Sequence, residues 1–496
     1  MASVVDEKAR PAPGPVAARS DARTWRWPGL LLTALFFVGV MGALRWHLRD
    51  VDVFWHVRLG GELLHGVSIY EVGRDWSYAN VPGDHWVSTQ WIVEILFSWL
   101  QTLWGWDGLI WYRSVTTGLA LVTAGWVVFR GPRTWASVVA FLPSAFTLME
   151  FSQERPQQVS FILLPFVGYW WSLAVRDGRV PKWWWILLGC AAWANCHGLW
   201  IMAPVAIFLA LAGRFLDNGR DDPVLNPLLI GFIASLVGGS ITPIGPLNLL
   251  TPISFAGATS EIQEWDPTDI IDLSSLGLIV TALLLFIAWA RGNSRPSRAE
   301  VLYGVLIFAF GCSAARNIAP AVIMLAAPLA WRLGVAFKGR KRQNPDQGLS
   351  TIAKPAAIAM AGAGVVLGGV LAAGITAIDP EVQPIGLVEK IAAQPTSQRV
   401  LNAYNISGLV LWYARPAASR SLVQVGIDGR ADRYGGAYIK KYLDMERGRP
   451  GWDTMVAELK PTIALLPEED ALTPLLKSKG WKEAGVEAKY VLLTPP

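Results

Sequence analysis

The chain has 496 residues, 53% hydrophobic and 16% charged, against about 25% charged in an average soluble domain; this excludes a water-soluble globular enzyme and indicates a polytopic membrane protein. Its 26 Trp and 11 Tyr supply rings that settle at headgroup level, and the formal charge of +5 fits basic cytoplasmic loops that orient spans rather than a nucleic-acid partner. Cys190, Cys196 and Cys312 lie in or beside apolar runs with no CxxC spacing, which excludes a disulfide framework and a zinc knuckle.

Residues 1–26 are polar, Ala/Pro-rich and basic, and read as a disordered cytoplasmic tail. A first span is expected over Pro28–Leu44. Further spans are expected over Gly108–Phe129, Thr134–Phe151, Gln158–Val175, Trp183–Ala194, Leu199–Gly213, Val224–Ile241, Leu273–Ala290, Val301–Gly311, Ile318–Trp331 and Ala356–Ile378, eleven in all. With the tail inside, segments 1–26, 130–133, 176–182, 214–223, 291–298 and 332–354 hold 21 Lys and Arg; the short outside loops hold only Arg155 and Arg316. That asymmetry obeys the positive-inside rule. Counting Ser88–Trp104 as a span would reverse the sides after it. With Gln90, Glu94 and Gln101 it reads instead as an amphipathic helix in the outer interface.

The expected fold class is therefore mainly α: a polytopic helical membrane domain over residues 27–378, with a first outer loop over 45–107, followed by a small α/β extracytoplasmic domain over 379–496. In that domain β-rich runs (Leu422–Val425, Thr462–Leu466, Tyr490–Leu493) alternate with helical patterns (Tyr438–Arg447, Asp453–Leu459, Ala471–Ser478).

Four polar clusters fall at outer span ends. The first is Asp50-Val-Asp52 with His56 four residues on, then Gly60-Gly61-Glu62, Asp75, Asp84 and His85. Two carboxylates and a His offer a general base or half of a divalent-cation site. Asp50, Asp52 and His56 are the ligands if Mg or Mn is bound, and their spacing does not name the metal. The plain alternative is a polar juxtamembrane loop anchored by Trp55. The second cluster, Glu150 to Gln158, packs Glu154 and Arg155 into a short turn; the third is Asn195-Cys-His197-Gly; the fourth is Arg316-Asn317. The acids Glu261, Glu264, Asp266 and Asp269 fall on the same side.

Ionisable residues at apolar spans must face a cavity or a partner, and carboxylates with Arg and His at headgroup depth suit chemistry on a lipid-linked phosphate. Candidate catalytic residues are Asp50 and Asp52; candidate substrate-binding residues are His56, Glu94, Glu154, Arg155, His197 and Arg316. No GxxxxGK[ST], HExxH, GxSxG or GxGxxG occurs, so ATP-driven transport, zinc proteolysis and lipase chemistry lack their signatures.

A first span, an outer loop opening on Asp50 and Asp52, an interfacial helix and a span starting near Arg113-Ser114 resemble the amino-terminal module of GT-C glycosyltransferases. Asp-x-Asp-x-x-Trp-His, Gly60-Gly-Glu, Arg155-Pro-Gln, Trp193-Ala-Asn-x-His-Gly198 and Gly426-Ile-Asp-Gly-Arg-Ala-Asp-x-Tyr434 are similar to a bacterial group of GT-C-like membrane proteins. The resemblance implies a sugar donor on a polyprenyl phosphate, membrane lipids around it, and a glycan, lipid or protein acceptor reached from the outer face of a bacterial cytoplasmic membrane. It further implies that Asp50 or Asp52 is the base of an inverting transfer, with Arg155, His197 and Arg316 on the phosphate. The alternative is a non-catalytic protein that binds or moves a lipid-linked glycan or scaffolds envelope assembly. The charged run Asp428 to Arg433 reads equally as acceptor contact or as a solvated, salt-bridged turn.

Overall fold

The eleven apolar segments become helices because backbone N–H and C=O groups inside hydrocarbon can be satisfied only within the segment itself. The computed structural model describes residues 27–44, 47–81, 86–132, 134–251, 266–292, 294–337, 354–375, 377–379, 381–415 and 422–496. The expected tail 1–26 and Asp84, His85, Glu261 and Glu264 lie outside the described residues. Helices α1 (Trp27–Ala43), α2 (Val53–Leu64), α3 (Trp91–Trp104), α4 (Asp107–Val128), α5 (Thr134–Glu150), α6 (Gln157–Asp177) and α7 (Trp183–Ala194) come first. After them follow α8 (Met202–Asn218), α9 (Leu225–Gly239), α10 (Leu276–Arg291), α11 (Arg298–Ser313), α12 (Ile318–Ala336) and α13 (Lys354–Ala372).

With their short 3-10 lead-ins, Gln157–Asp177, Gly198–Asn218, Leu273–Arg291 and Ala315–Ala336 are each long and apolar enough to cross a membrane unaided; several others are shorter apolar helices. Helix α12 forms the centre and is buried along nearly its whole length, packed by α5, α6, α10 and α11. Its run of Ala319, Ala321, Ala326, Ala327 and Ala330 lets those neighbours approach closely, the usual means of packing helices in lipid.

Helix α3 falls within the segment expected to be an amphipathic helix. Glu94 and Ser98 turn inward with Val93, Phe97 and Leu100, while Ile92, Trp99, Leu103 and Trp104 are exposed. An apolar exposed face with Trp at its end suits a helix lying in a headgroup layer.

The C-terminal region contains α14 (Ile385–Ala392), β1 (Gln398–Asn402), α15 (Ser407–Tyr413), β2 (Val423–Val425), α16 (Ala431–Glu446), α17 (Trp452–Leu459), β3 (Ile463–Pro467), α18 (Leu472–Ser478), β4 (Lys482–Glu487) and β5 (Tyr490–Thr494). The five strands lie in the order β2-β1-β3-β5-β4, parallel for β2-β1-β3 and antiparallel for β3-β5-β4. The first loop adds to the β2 edge: Ser77 bridges Val425, and the Tyr78 N–H donates to the Val425 carbonyl at 3.2 Å. One apolar core runs from α2, α3 and that loop through the sheet. The described residues of 47–106 and 381–496 thus share one core.

Candidate functional site

At the start of α2 two carboxylates receive different environments. Asp50 is buried, and Arg155 grips it with a planar fork, Nε to Oδ2 at 2.7 Å and Nη2 to Oδ1 at 3.0 Å. The Asp52 N–H also donates to Asp50 Oδ1, at 3.2 Å. Asp52, the residue before the first turn of α2, keeps its side chain 27% exposed; Arg155 Nη2 stands 3.7 Å from its Oδ2, and the Trp55 indole N–H donates to its Oδ1 at 3.0 Å. Burial and the Asp50 charge push Asp52 up to about 6, while Arg155, His56 and the Trp55 N–H hold it down in part. A carboxylate with its proton affinity near neutrality is suited to accept a proton.

His56 lies one helical turn beyond Asp52, on the same face of α2. Its Nδ1 meets Glu94 Oε1 at 2.9 Å, and the Ser88 hydroxyl donates to Glu94 Oε2 at 2.6 Å. Glu94 reaches this depth because Gly60 lets α3 approach α2: a Cβ on Gly60 would stand 1.9 Å from the Glu94 carbonyl oxygen.

Glu154 and Arg113 form a fully buried ion pair. The other Glu154 oxygen accepts the Arg49 backbone N–H at 3.0 Å, and Arg113 also donates to the His47 carbonyl at 2.8 Å. Burial pushes Glu154 up, and Arg113 and the Arg49 N–H only partly offset that. Both its oxygens are engaged and enclosed, so among the expected substrate-binding residues Glu154 is the one that ties the 150–158 turn to α4.

His197 sits in the turn between α7 and α8. Its Nδ1 is 2.9 Å from Ser160 Oγ and receives the Leu199 N–H at 3.3 Å; Ser160 in turn accepts the Trp193 indole N–H at 2.8 Å. Burial, and after it the Arg316 charge, push His197 down to about 3, so its ring is neutral. Arg316, in the Ala315–Asn317 turn that leads into α12, His56 on α2 and Arg155 in the 150–158 turn thus all act electrostatically on His197. The turn bearing Arg316 is fixed by the Ala315 N–H on the Asp266 carbonyl at 3.1 Å and the Thr268 N–H on the Cys312 carbonyl at 3.2 Å. Asn195 braces the same end, accepting the Trp91 indole N–H at 2.8 Å and donating to the Ile241 carbonyl at 2.7 Å.

The 426–434 motif is not a solvated turn. Asp428 is fully buried, held by Arg430 Nε at 2.8 Å, Arg430 Nη2 at 2.6 Å and the Tyr434 hydroxyl at 2.7 Å. Burial alone would push it up, but Arg430 and Tyr434 hold it below the usual carboxylate range. Arg430 also reaches back to the Gly73 carbonyl at 2.8 Å and lies over the Trp76 and Trp86 rings. This rigid knot lays Gly429 against Asp52. Burial pushes Asp432, three residues on, up to about 6. Composition and spacing hid the roles of Gly60, Ser88, Ser160 and Gly429, although Gly429 stands within a motif that the sequence marks.

Below the His197 turn, α6 to α9 line an open apolar groove of about 170 Å³, bordered by Leu163, Trp170, Ile186, Cys190, Trp193 and Ala206 among others. A divalent cation does not fit the residues suggested for it. Both Asp50 oxygens accept from Arg155, His56 Nδ1 faces Glu94, and among the described residues no three His, Cys, Asp or Glu side chains gather as a ligand set.

No protein-family model matches the sequence, and no curated protein matches it. Solved structures do. The archaeal oligosaccharyltransferase AglB from Archaeoglobus fulgidus, determined with an inhibitory peptide and a dolichol-phosphate, is 11% identical, with a TM-score of 0.54 over 89% of this chain and 70% of its own. ArnT from Cupriavidus metallidurans, bound to undecaprenyl phosphate, is 13% identical with a TM-score of 0.46 over 94% of this chain and 97% of its own. The arabinofuranosyltransferase AftD from Mycobacteria is 11% identical with a TM-score of 0.49 over 94% of this chain and 40% of its own. Likeness at this identity speaks to architecture, and of these three structures AglB is close enough to carry that point. In fold, this chain is similar to AglB, with the apolar helices of a multi-pass membrane protein.

Proposed function

We propose that the protein is an inverting glycosyltransferase that moves a sugar from a polyprenyl-phosphate donor to a hydroxyl acceptor at the outer face of a bacterial cytoplasmic membrane. The observation that carries this reading is the grouping of one base-like carboxyl, Asp52, with Arg155, His56, His197 and Arg316 above an apolar groove. The isoprenoid tail occupies that groove, because the Trp193 indole lines it and bonds Ser160, which bonds His197. Tail and headgroup sites are thereby continuous.

Asp52 is the better base of the two acids, since Arg155 occupies both oxygens of Asp50. Asp52 takes the acceptor's proton as the new C1–O bond forms; the C1–O bond to phosphate breaks on the opposite side, and its electron pair leaves on the phosphate. The leaving phosphate is already ionised and needs no acid, so Arg316 and the His197 N–H serve to hold it. Asp50 fixes Arg155 between the two halves of the site.

The test is the chain in lipid nanodiscs with a panel of polyprenyl-phosphate sugars and acceptors, reading released polyprenyl phosphate. Asp52→Asn is expected to lose at least about 100-fold in rate, the scale of a general base, with donor binding retained. Donor binding without release by the unmodified protein would favour the non-catalytic binding or scaffold role.

A further inference from the structure

His56 and His197 sit in one neighbourhood yet are held through the same ring atom, Nδ1, by partners of opposite hydrogen-bonding character. Glu94 accepts on both oxygens. The Ser88 hydroxyl itself accepts the Gln90 N–H at 3.1 Å, so its own hydrogen goes to Glu94 Oε2, and Oε1 is left to receive a hydrogen from His56 Nδ1. In its neutral form His56 therefore carries its hydrogen on Nδ1 and presents a bare lone pair at Nε2.

At His197 the logic inverts. The Leu199 backbone N–H can only donate, and it points at Nδ1. The Trp193 indole N–H donates to Ser160 Oγ, which leaves the Ser160 hydrogen for Nδ1 as well. Nδ1 of His197 is thus the lone pair, and its Nε2 bears the hydrogen. Neither Nε2 belongs to the enclosed polar atoms that lack a partner, and no other hydrogen bond of either ring occurs among the described residues, so both atoms border open space.

We propose that these two opposite, locked tautomers set the polarity of the ligand site. His197 Nε2–H, with Arg316, donates to the non-bridging oxygens of the lipid phosphate, whereas His56 Nε2, beside Asp52, accepts from a sugar hydroxyl. Glu94 is then a positioning residue that acts through His56. A phosphate cannot use the His56 end, because a lone pair and a carboxylate there repel its oxygens. A hydroxyl suits that end because it brings a hydrogen. The ligand assignment rests on the donor proposed above; the tautomer assignment does not.

The test uses the full chain in nanodiscs, labelled with 15N-histidine and observed by solid-state NMR at pH 7.5. Resonances are assigned by difference from single His→Gln variants at His56 and His197, or from the other three histidines if either variant fails to accumulate. Expected are a protonated Nδ1 with bare Nε2 for His56 and the reverse for His197. Glu94→Gln, which offers an N–H₂ in place of an oxygen, should move His56 toward the Nε2–H form while His197 stays as it is. The same tautomer at both histidines, a hydrogen on both nitrogens of His56, or a His56 indifferent to Glu94→Gln, overturns the inference.

Titration with undecaprenyl phosphate should shift the His197 Nε2–H resonance and spare His56. Its affinity should fall at least tenfold in His197→Gln and stay within twofold in Glu94→Gln; the opposite ranking overturns the ligand assignment. No binding of this lipid by the unmodified protein overturns the donor reading itself and the ligand assignment with it, an outcome separable from the tautomer result.

Discussion

Gly429 lies against Asp52 so closely that a Cβ added to the glycine would stand 2.2 Å from Asp52 Oδ1 and 2.6 Å from the Trp55 indole nitrogen. The C-terminal region therefore lies directly against the proposed base, and the surroundings of Asp52 are complete only when that region is docked. The Asp428–Arg430 pair and the Gly73 carbonyl hold this contact in place. Gly429→Ala should displace Asp52 or break its bond to Trp55. Release of polyprenyl phosphate is expected to fall at least about tenfold, on the scale of small misplacements of catalytic groups, with the unfolding midpoint changed far less than by a core substitution. Undiminished release would show that the contact is passive.

The pH–rate profile follows from Asp52. Its carboxyl is pushed up to about 6, and only the ionised form accepts a proton. Release is expected to be level above about pH 7 and to drop about tenfold per unit well below 6. Arg155 holds the group down, so Arg155→Gln should move the acid limb to higher pH. A limb that stays near the ordinary carboxylate range in both proteins would assign the titration to another group.

The same displacement has a cost in stability whose sign can be checked. Folding raises the affinity of Asp52 for its proton, so its favourable contribution is complete below the unfolded value near 4 and is lost as pH rises through about 6. Asp52→Asn should therefore stabilise the protein at pH 8, by on the order of 1 kcal/mol, and give no gain at pH 4. Thermal unfolding in detergent at the two pH values reads this directly.

Removing Glu154 should act through the fold. Its carboxylate pairs with Arg113 where both side chains are fully enclosed, and loss of one partner of a buried pair costs about 3–5 kcal/mol. Glu154→Ala is expected to lower accumulation in the membrane and the unfolding midpoint sharply. The Glu154→Ala, Arg113→Met double variant should recover part of the loss, since no unpaired charge then remains; a double variant no more stable than Glu154→Ala would show that the pair's charge is not the cause.

Arg430→Ala should loosen the join between the first loop and the C-terminal domain. It removes the bonds to Asp428 and the Gly73 carbonyl and the stacking on Trp76 and Trp86. Limited proteolysis of reconstituted protein is expected to cut the 381–496 region several times faster, with the membrane domain intact; unchanged cleavage would show that the Ser77–Val425 bridge and the shared apolar core suffice.

The helical architecture was legible in the chain because its cause is one-dimensional: about a membrane's thickness of apolar residues forms a helix wherever it lies. Within the C-terminal domain the same reading found β2, β3 and β5 but not β1 or β4. Strand β1 opens on Gln398-Arg399 and then buries Val400, Leu401 and Asn402 in succession between two parallel neighbours, so it shows no alternation. Strand β4 is a polar edge, Lys-Glu-Ala-Gly-Val-Glu, whose composition resembles a loop.

The candidate residues could be named from the sequence because acids, Arg and His at span ends must find a cavity or a partner. Which of them pair, and which stay open, depended on side chains about 40 to 380 residues apart in the chain: Arg155 on Asp50, Arg113 on Glu154, Glu94 on His56, Gly429 on Asp52. A sequence fixes the valence of each group, but a carboxylate becomes a base or a structural counter-ion according to whether a guanidinium fork reaches it, and only packing in three dimensions decides that.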